Sequence, residues 1–156
     1  MPTRAIKTLA AIALVASLAL PQSTCARYRA PDGRVVDVVP RDAIPGAYQR
    51  FTERHYALDD FQSRELGSWL WLGLFIWPLP LLALALRRPS SRLTRTLWYA
   101  EPLLAITSAY CIRALILFSA PAVGAYVAVS ANGLYLVAWI LEGVERFRRW
   151  RTPAGA

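Results

Sequence analysis

The sequence predicts an all-α integral membrane protein with three transmembrane helices, or four if an N-terminal signal is uncleaved, plus a short exported hairpin and amphipathic-helix segment. Three observations lead there. The 156-residue chain is 56% hydrophobic, more apolar than the surface of a small soluble protein. Residues 67–86, 97–118 and 122–141 are long apolar stretches, and at 1.5 Å per residue about twenty residues cross a hydrocarbon core of about 30 Å. The basic residues behind the formal net charge of +8 gather at the ends of these stretches instead of on one soluble face. That placement argues against nucleic acid as a partner and for the lipid bilayer.

Residues 1–26 read as a signal peptide or signal anchor. Arg4 and Lys7 precede the apolar run 9–20, which Pro21 ends. At about 18 Å as a helix the run is short for a crossing, and a charged start followed by a short apolar middle is the secretory layout. Cleavage after Ala26 would leave Thr24 and Ala26 at the small-residue positions. Cys25 raises the question of lipidation, but Gln22 and Thr24 stand where a lipoprotein signal carries an aliphatic and a small residue. Cys25 and Cys111 lie in unrelated contexts and are expected to stay unpaired.

Residues 27–66 form the exported segment, and its charged positions from Arg27 to Glu65 balance. The turn sequence Pro31-Asp32-Gly33 lies before Val35, Val36, Val38 and Val39, which favour extended structure, so a small hairpin is predicted. From about Pro45, Tyr48, Phe51, His55, Leu58 and Phe61 or Gln62 recur at helical spacing, which predicts an amphipathic helix near the membrane surface. His55 is the only histidine and has no second ligand at metal-binding spacing.

The first span, 67–86, carries Pro78 and Pro80 and is expected to kink there. The loop 87–96 is basic and free of acids, and the tail 142–156 is again rich in arginine, whereas the loop 119–123 has no charge. The positive-inside rule places loop 87–96 and the tail in the cytoplasm and residues 27–66 in the periplasm of a bacterial inner (plasma) membrane. Arg4 and Lys7 ask for the same orientation.

Two groups of polar residues stand at or near membrane depth. A short loop at Pro121 and Ala122 makes the second and third spans an antiparallel hairpin and sets Arg113 level with Ser130, with Asn132 about one turn away. An unpaired arginine at depth costs about 2.5 kcal/mol or more. Arg113 is therefore expected either to pin the hairpin through Ser130, Asn132 or backbone carbonyls, or to hold an anionic group of a lipid or partner. Stripes of small residues, Ala105 and Ala109 before Arg113, Gly124 and Ala128 before Asn132, fit close helix approach. The same register sets Glu101 opposite Glu142 near the cytoplasmic interface, where salt bridging to arginine is the expectation. Pro102 suggests that the helix proper starts beside Glu101.

No nucleophile elbow, zinc-binding His pair, CxxC or phosphate loop occurs, so neither catalytic nor metal residues are assigned and no cofactor is predicted. What remains is a small non-enzymatic inner-membrane protein that acts by contact with a membrane-protein partner or as a homo-oligomer. An immunity-type protein guarding against a periplasmic or membrane-acting toxin is the alternative, and a small membrane enzyme the second.

Overall fold

In the computed structural model the described residues are 2–41, 43–44, 46–59, 66–87, 92–115 and 120–151. They form helix α1 (Pro2–Ala16), strands β1 (Pro21–Arg29), β2 (Val35–Val36) and β3 (Gln49–Tyr56), helices α2 (Leu66–Ile76), α3 (Pro78–Arg87) and α4 (Arg92–Leu115), strand β4 (Ala120–Pro121) and helix α5 (Val123–Arg151).

The chain is therefore mixed α/β, which corrects the expected all-α, three-span arrangement. Only α5, among the described residues, is long and apolar enough to cross a membrane; α2 and α3 pass that test only as a pair bent by 52°. The reasons are local. Pro78 divides residues 66–87 into helices of 11 and 10 residues, each about half the length a crossing needs. Glu101, Pro102 and Arg113 interrupt the apolar run of α4. That helix begins at Arg92, so Pro102 lies inside it and not at its start. The end of the expected second span, residues 116–118, falls outside the described residues, as do parts of the basic loop (88–91) and of the tail (152–156).

The sheet is antiparallel, with β1 at its centre. One edge of β1 pairs with β3 from Pro21↔Tyr56 to Arg29↔Gln49, and the other takes β2 near Tyr28 and β4 near Thr24. Strand β3 replaces the amphipathic helix expected from Pro45 onward; its remainder at 60–62 lies outside the described residues. Phe51 and Glu53 alternate with the more exposed Arg50, Thr52 and Arg54, a two-residue period that also fits the sequence once β1 offers a partner edge. Between β1 and β2 the turn closes through Ala30 N–H to the Arg34 carbonyl (2.8 Å), with Gly33 in the left-handed region at φ 84°. Arg27 spans the sheet surface to Asp37 and Glu53, both at 2.8 Å. Beside Glu53 and then Asp37, its guanidinium is held above its ordinary pKa and stays charged.

The helices pack around α5. Helix α1 lies along it through Ala10, Ala11 and Leu14, which recur on one face at three- and four-residue steps. Helix α4 covers a second side with Glu101, Ala105, Ser108 and Ile112. A 3-10 turn at Ser17–Ala19 carries α1 straight into β1, and Thr24 to Ala26, the expected cleavage region, lie within that strand. The start of α5 meets the same segment: Ala122 N–H donates to the Gln22 carbonyl at 3.0 Å, and Gly124 lies against the backbone of Leu20 and Pro21.

Candidate functional site

Two prolines determine how polar groups are arranged in the helical layer. A proline inside a helix deprives the carbonyl four residues earlier of its donor. Pro78 does this to Leu74, and the Ser108 hydroxyl on α4 donates to that carbonyl at 2.6 Å. Asn132 on α5 then donates through Nδ2 to Ser108 Oγ and to the Ala128 carbonyl, both at 3.1 Å. Pro102 does the same to Trp98, and the Trp139 indole N–H supplies the missing donor at 2.8 Å. In each case a neighbouring helix satisfies a group that lipid or apolar packing cannot.

The charged centre lies at the end of the helices away from the sheet. Lys7 of α1 is 4% exposed and its Nζ donates to Glu101 Oε2 at 2.5 Å and to Glu142 Oε2 at 2.7 Å. Arg146 donates to the other oxygen of Glu142 at 2.5 Å and lies over the Trp98 ring, 4.6 Å from its centroid. Trp98 in turn stacks on Trp139 at 4.7 Å. Lys7 also sits 5.3 Å from the centre of the Tyr135 ring. Three helices thus meet on one cation. Two carboxylates facing each other in a buried setting would repel, and the shared ammonium offsets this.

Beside this centre is a cavity of about 80 Å³. Arg4, Thr8, Thr94, Trp98 and Arg146 form its polar side, and Leu82, Ala85 and Leu86 of α3 its apolar side.

The residues singled out from sequence fare differently. Glu101 and Glu142 come together on Lys7. Asn132 is buried, but its partner is Ser108. Ser130 is exposed, and Arg113 is exposed and makes no hydrogen bond or ion pair among the described residues. The expected Arg113 contact with Ser130 or Asn132 is not formed, because the inward face of α4 runs through positions 101, 105, 108 and 112 and leaves 113 outside it. His55 is exposed on β3, and no cluster of three or more metal-ligating side chains occurs among the described residues. Cys25 and Cys111 are both free.

Lys7 and Ser108 are the residues that sequence reasoning passed over. Lys7 counted as an orienting charge of the N-terminus, yet it shares helical spacing with Thr3, Ala10 and Leu14, a face whose other members are small or apolar. Ser108 stands three residues after Ala105 and four before Ile112, on the inward stripe. Comparison with protein-family models, with curated proteins and with solved structures found no match for this chain.

Proposed function

We propose that this chain is a non-enzymatic inner-membrane protein that binds a partner through the outer face of α4. The observation that carries the reading is the exposed row Leu103, Ile106, Tyr110 and Arg113. These residues follow one another at three- and four-residue steps, and the first three are 68%, 55% and 72% exposed. Three apolar or aromatic side chains followed by an arginine with no hydrogen-bond or ion-pair partner among the described residues suit a helix of another membrane protein that brings a carboxylate level with Arg113.

The membrane placement rests on the distribution of polarity. Large apolar side chains such as Leu134, Val137 and Ile140 of α5 are more than half exposed, whereas Lys7, Glu101, Ser108 and Asn132 are buried. A soluble domain keeps large apolar side chains inside and charges in water, whereas the helical layer here turns these side chains of α5 outward and holds Lys7 and Glu101 inside. Helix α5 lies in lipid in this reading, with the sheet on the periplasmic side and the Arg148, Arg149 and Arg151 end in the cytoplasm.

The test is a pull-down from mild detergent with the parent chain and the Arg113→Leu variant. The parent should co-purify with a membrane protein, and the variant should keep its abundance in the membrane fraction while losing that protein. A parent chain that elutes alone counts against partner binding. A partner encoded beside it that proves toxic without it would favour the immunity-type reading.

A further inference from the structure

We propose that the cavity between α1, α3, α4 and α5 binds the phosphate of an anionic lipid headgroup. The proposal rests on the membrane placement above and adds a ligand to the sheet-distal end of the helices. Three features of the cavity support it.

The first is charge. Arg4, Lys7 and Arg146 line the cavity against Glu101 and Glu142, which leaves one positive charge in excess. The carboxylates are already engaged by Lys7 and Arg146. The Arg4 guanidinium has no ion-pair or hydrogen-bond partner among the described residues. It is the group left to meet an anion.

The second is donor chemistry. The Thr8 hydroxyl donates to the Arg4 carbonyl at 3.0 Å, so it ties down the helical turn that carries Arg4 and has no hydrogen left for a ligand. Trp98 also lines the cavity, and its buried indole N–H finds no acceptor among the described residues. Phosphate oxygens accept from guanidinium and indole donors alike.

The third is shape. About 80 Å³ holds two or three water-sized groups, enough for a phosphate but not for a lipid tail. Leu82, Ala85 and Leu86 make the opposite wall apolar, and Leu86 is 72% exposed. A headgroup phosphate seated by Arg4 would lay its first methylenes against these residues. Basic pockets between helices on the cytoplasmic side suit acidic lipids on general grounds.

The test uses the full chain purified in neutral detergent and exchanged into nanodiscs. Bound lipid is counted by native mass spectrometry with phosphatidylglycerol and phosphatidylcholine in equal amounts, with and without inorganic phosphate. Phosphatidylglycerol should be retained preferentially. Arg4→Gln should lower that preference about fivefold, Arg4→Lys should restore most of it, and Arg151→Gln, which removes a charge away from the cavity, should leave it unchanged. Equal retention of both lipids, or an Arg4→Gln variant that binds like the parent, overturns the proposal. Displacement by inorganic phosphate at matching concentration overturns the lipid assignment in favour of free phosphate. Sedimentation with membranes is scored separately: a chain that sediments with membranes yet shows no preference sinks this proposal alone, and a chain that does not sediment sinks the membrane reading.

Discussion

The indole N–H of Trp139 donates to the backbone carbonyl of Trp98 at 2.8 Å, the acceptor that Pro102 deprives of its helical donor. The same device recurs where Ser108 serves Leu74 below Pro78. Together they explain how α4 tolerates Pro102 and the α2–α3 junction tolerates Pro78: another helix provides the lost hydrogen bond. Trp139→Phe keeps most of the stacking on Trp98 but leaves that carbonyl unpaired, at a cost of about 1–3 kcal/mol. Ser108→Ala strands the Leu74 carbonyl and one Asn132 donor and should cost a similar amount. Thermal unfolding in detergent measures both, and a Trp139→Phe variant as stable as the parent would remove this role for the indole.

Gly124 marks the closest approach between α5 and the β1 entry. A Cβ built there would come within 2.8 Å of the Leu20 and Pro21 carbonyl oxygens and 2.5 Å of Gln22 Nε2. Two of those three neighbours are backbone and cannot turn aside. Gly124→Ala should therefore destabilise by about 1–3 kcal/mol despite alanine's better helix propensity. Gly133→Ala, which meets nothing within 4 Å, is the control and should be neutral or slightly stabilising. Parallel melting curves of the two variants check the contrast.

The limits of reading this fold from its sequence follow from the range of the interactions involved. The apolar run of α5 and the kink at Pro78 are local, so hydropathy and proline chemistry reveal them. The strands are not local: Pro21 pairs with Tyr56, and nothing within residues 21–26 announces a strand when the apolar run before them resembles a signal. Residues 48–62 carry a helical period, and only the waiting edge of β1 converts the middle of that stretch to β3. The inward face of α4 lies a single step from the stripe that spacing predicts. Ala105, Ala109 and Arg113 form a four-residue stripe, but packing against α5 uses 101, 105, 108 and 112, which alternates four and three. Setting Glu101 level with Glu142 needed only the loop position at Pro121, whereas finding Lys7 between them needed the placement of α1, which no spacing encodes.

The hairpin turn should loosen in acid. Asp32 accepts from the Arg34 backbone N–H at 3.1 Å and from its guanidinium at 2.5 Å, and these contacts hold its carboxyl below the ordinary aspartate range. A depressed folded-state pKa contributes stability that is present above the unfolded value and fades as pH falls through the folded one. Protection of the Arg34 amide should thus hold at neutral pH and decline only below the ordinary aspartate range, and Asp32→Ala should lower it at neutral pH while matching the parent in acid, where Asp32 is itself protonated. The group is solvated, so the effect stays within the turn and global melting should not follow it. Amide exchange at Arg34 across an acid titration checks the direction.

Lys7 provides the strongest test of the helical arrangement, because its removal leaves the buried Glu101 carboxylate without a cation and facing the half-buried Glu142. Breaking a buried ion pair by deleting one partner costs about 3–5 kcal/mol, so Lys7→Met should lower the melting temperature by on the order of 10 °C. Removing all three charges should cost far less, since apolar or neutral replacements of a complete buried pair are often close to neutral. The Lys7→Met, Glu101→Gln, Glu142→Gln triple variant should therefore recover most of the loss, although each single glutamine substitution on its own should not. The same variant reports on N-terminal processing. Cleavage after Ala26 would take α1, Lys7 and most of β1 with it, and Lys7→Met would then leave the mature protein unchanged. An intact mass that includes residues 1–26, together with a destabilised Lys7→Met variant, places α1 permanently against α5. A mature chain that starts at Arg27 and is still folded would show that the Lys7 bridge is dispensable.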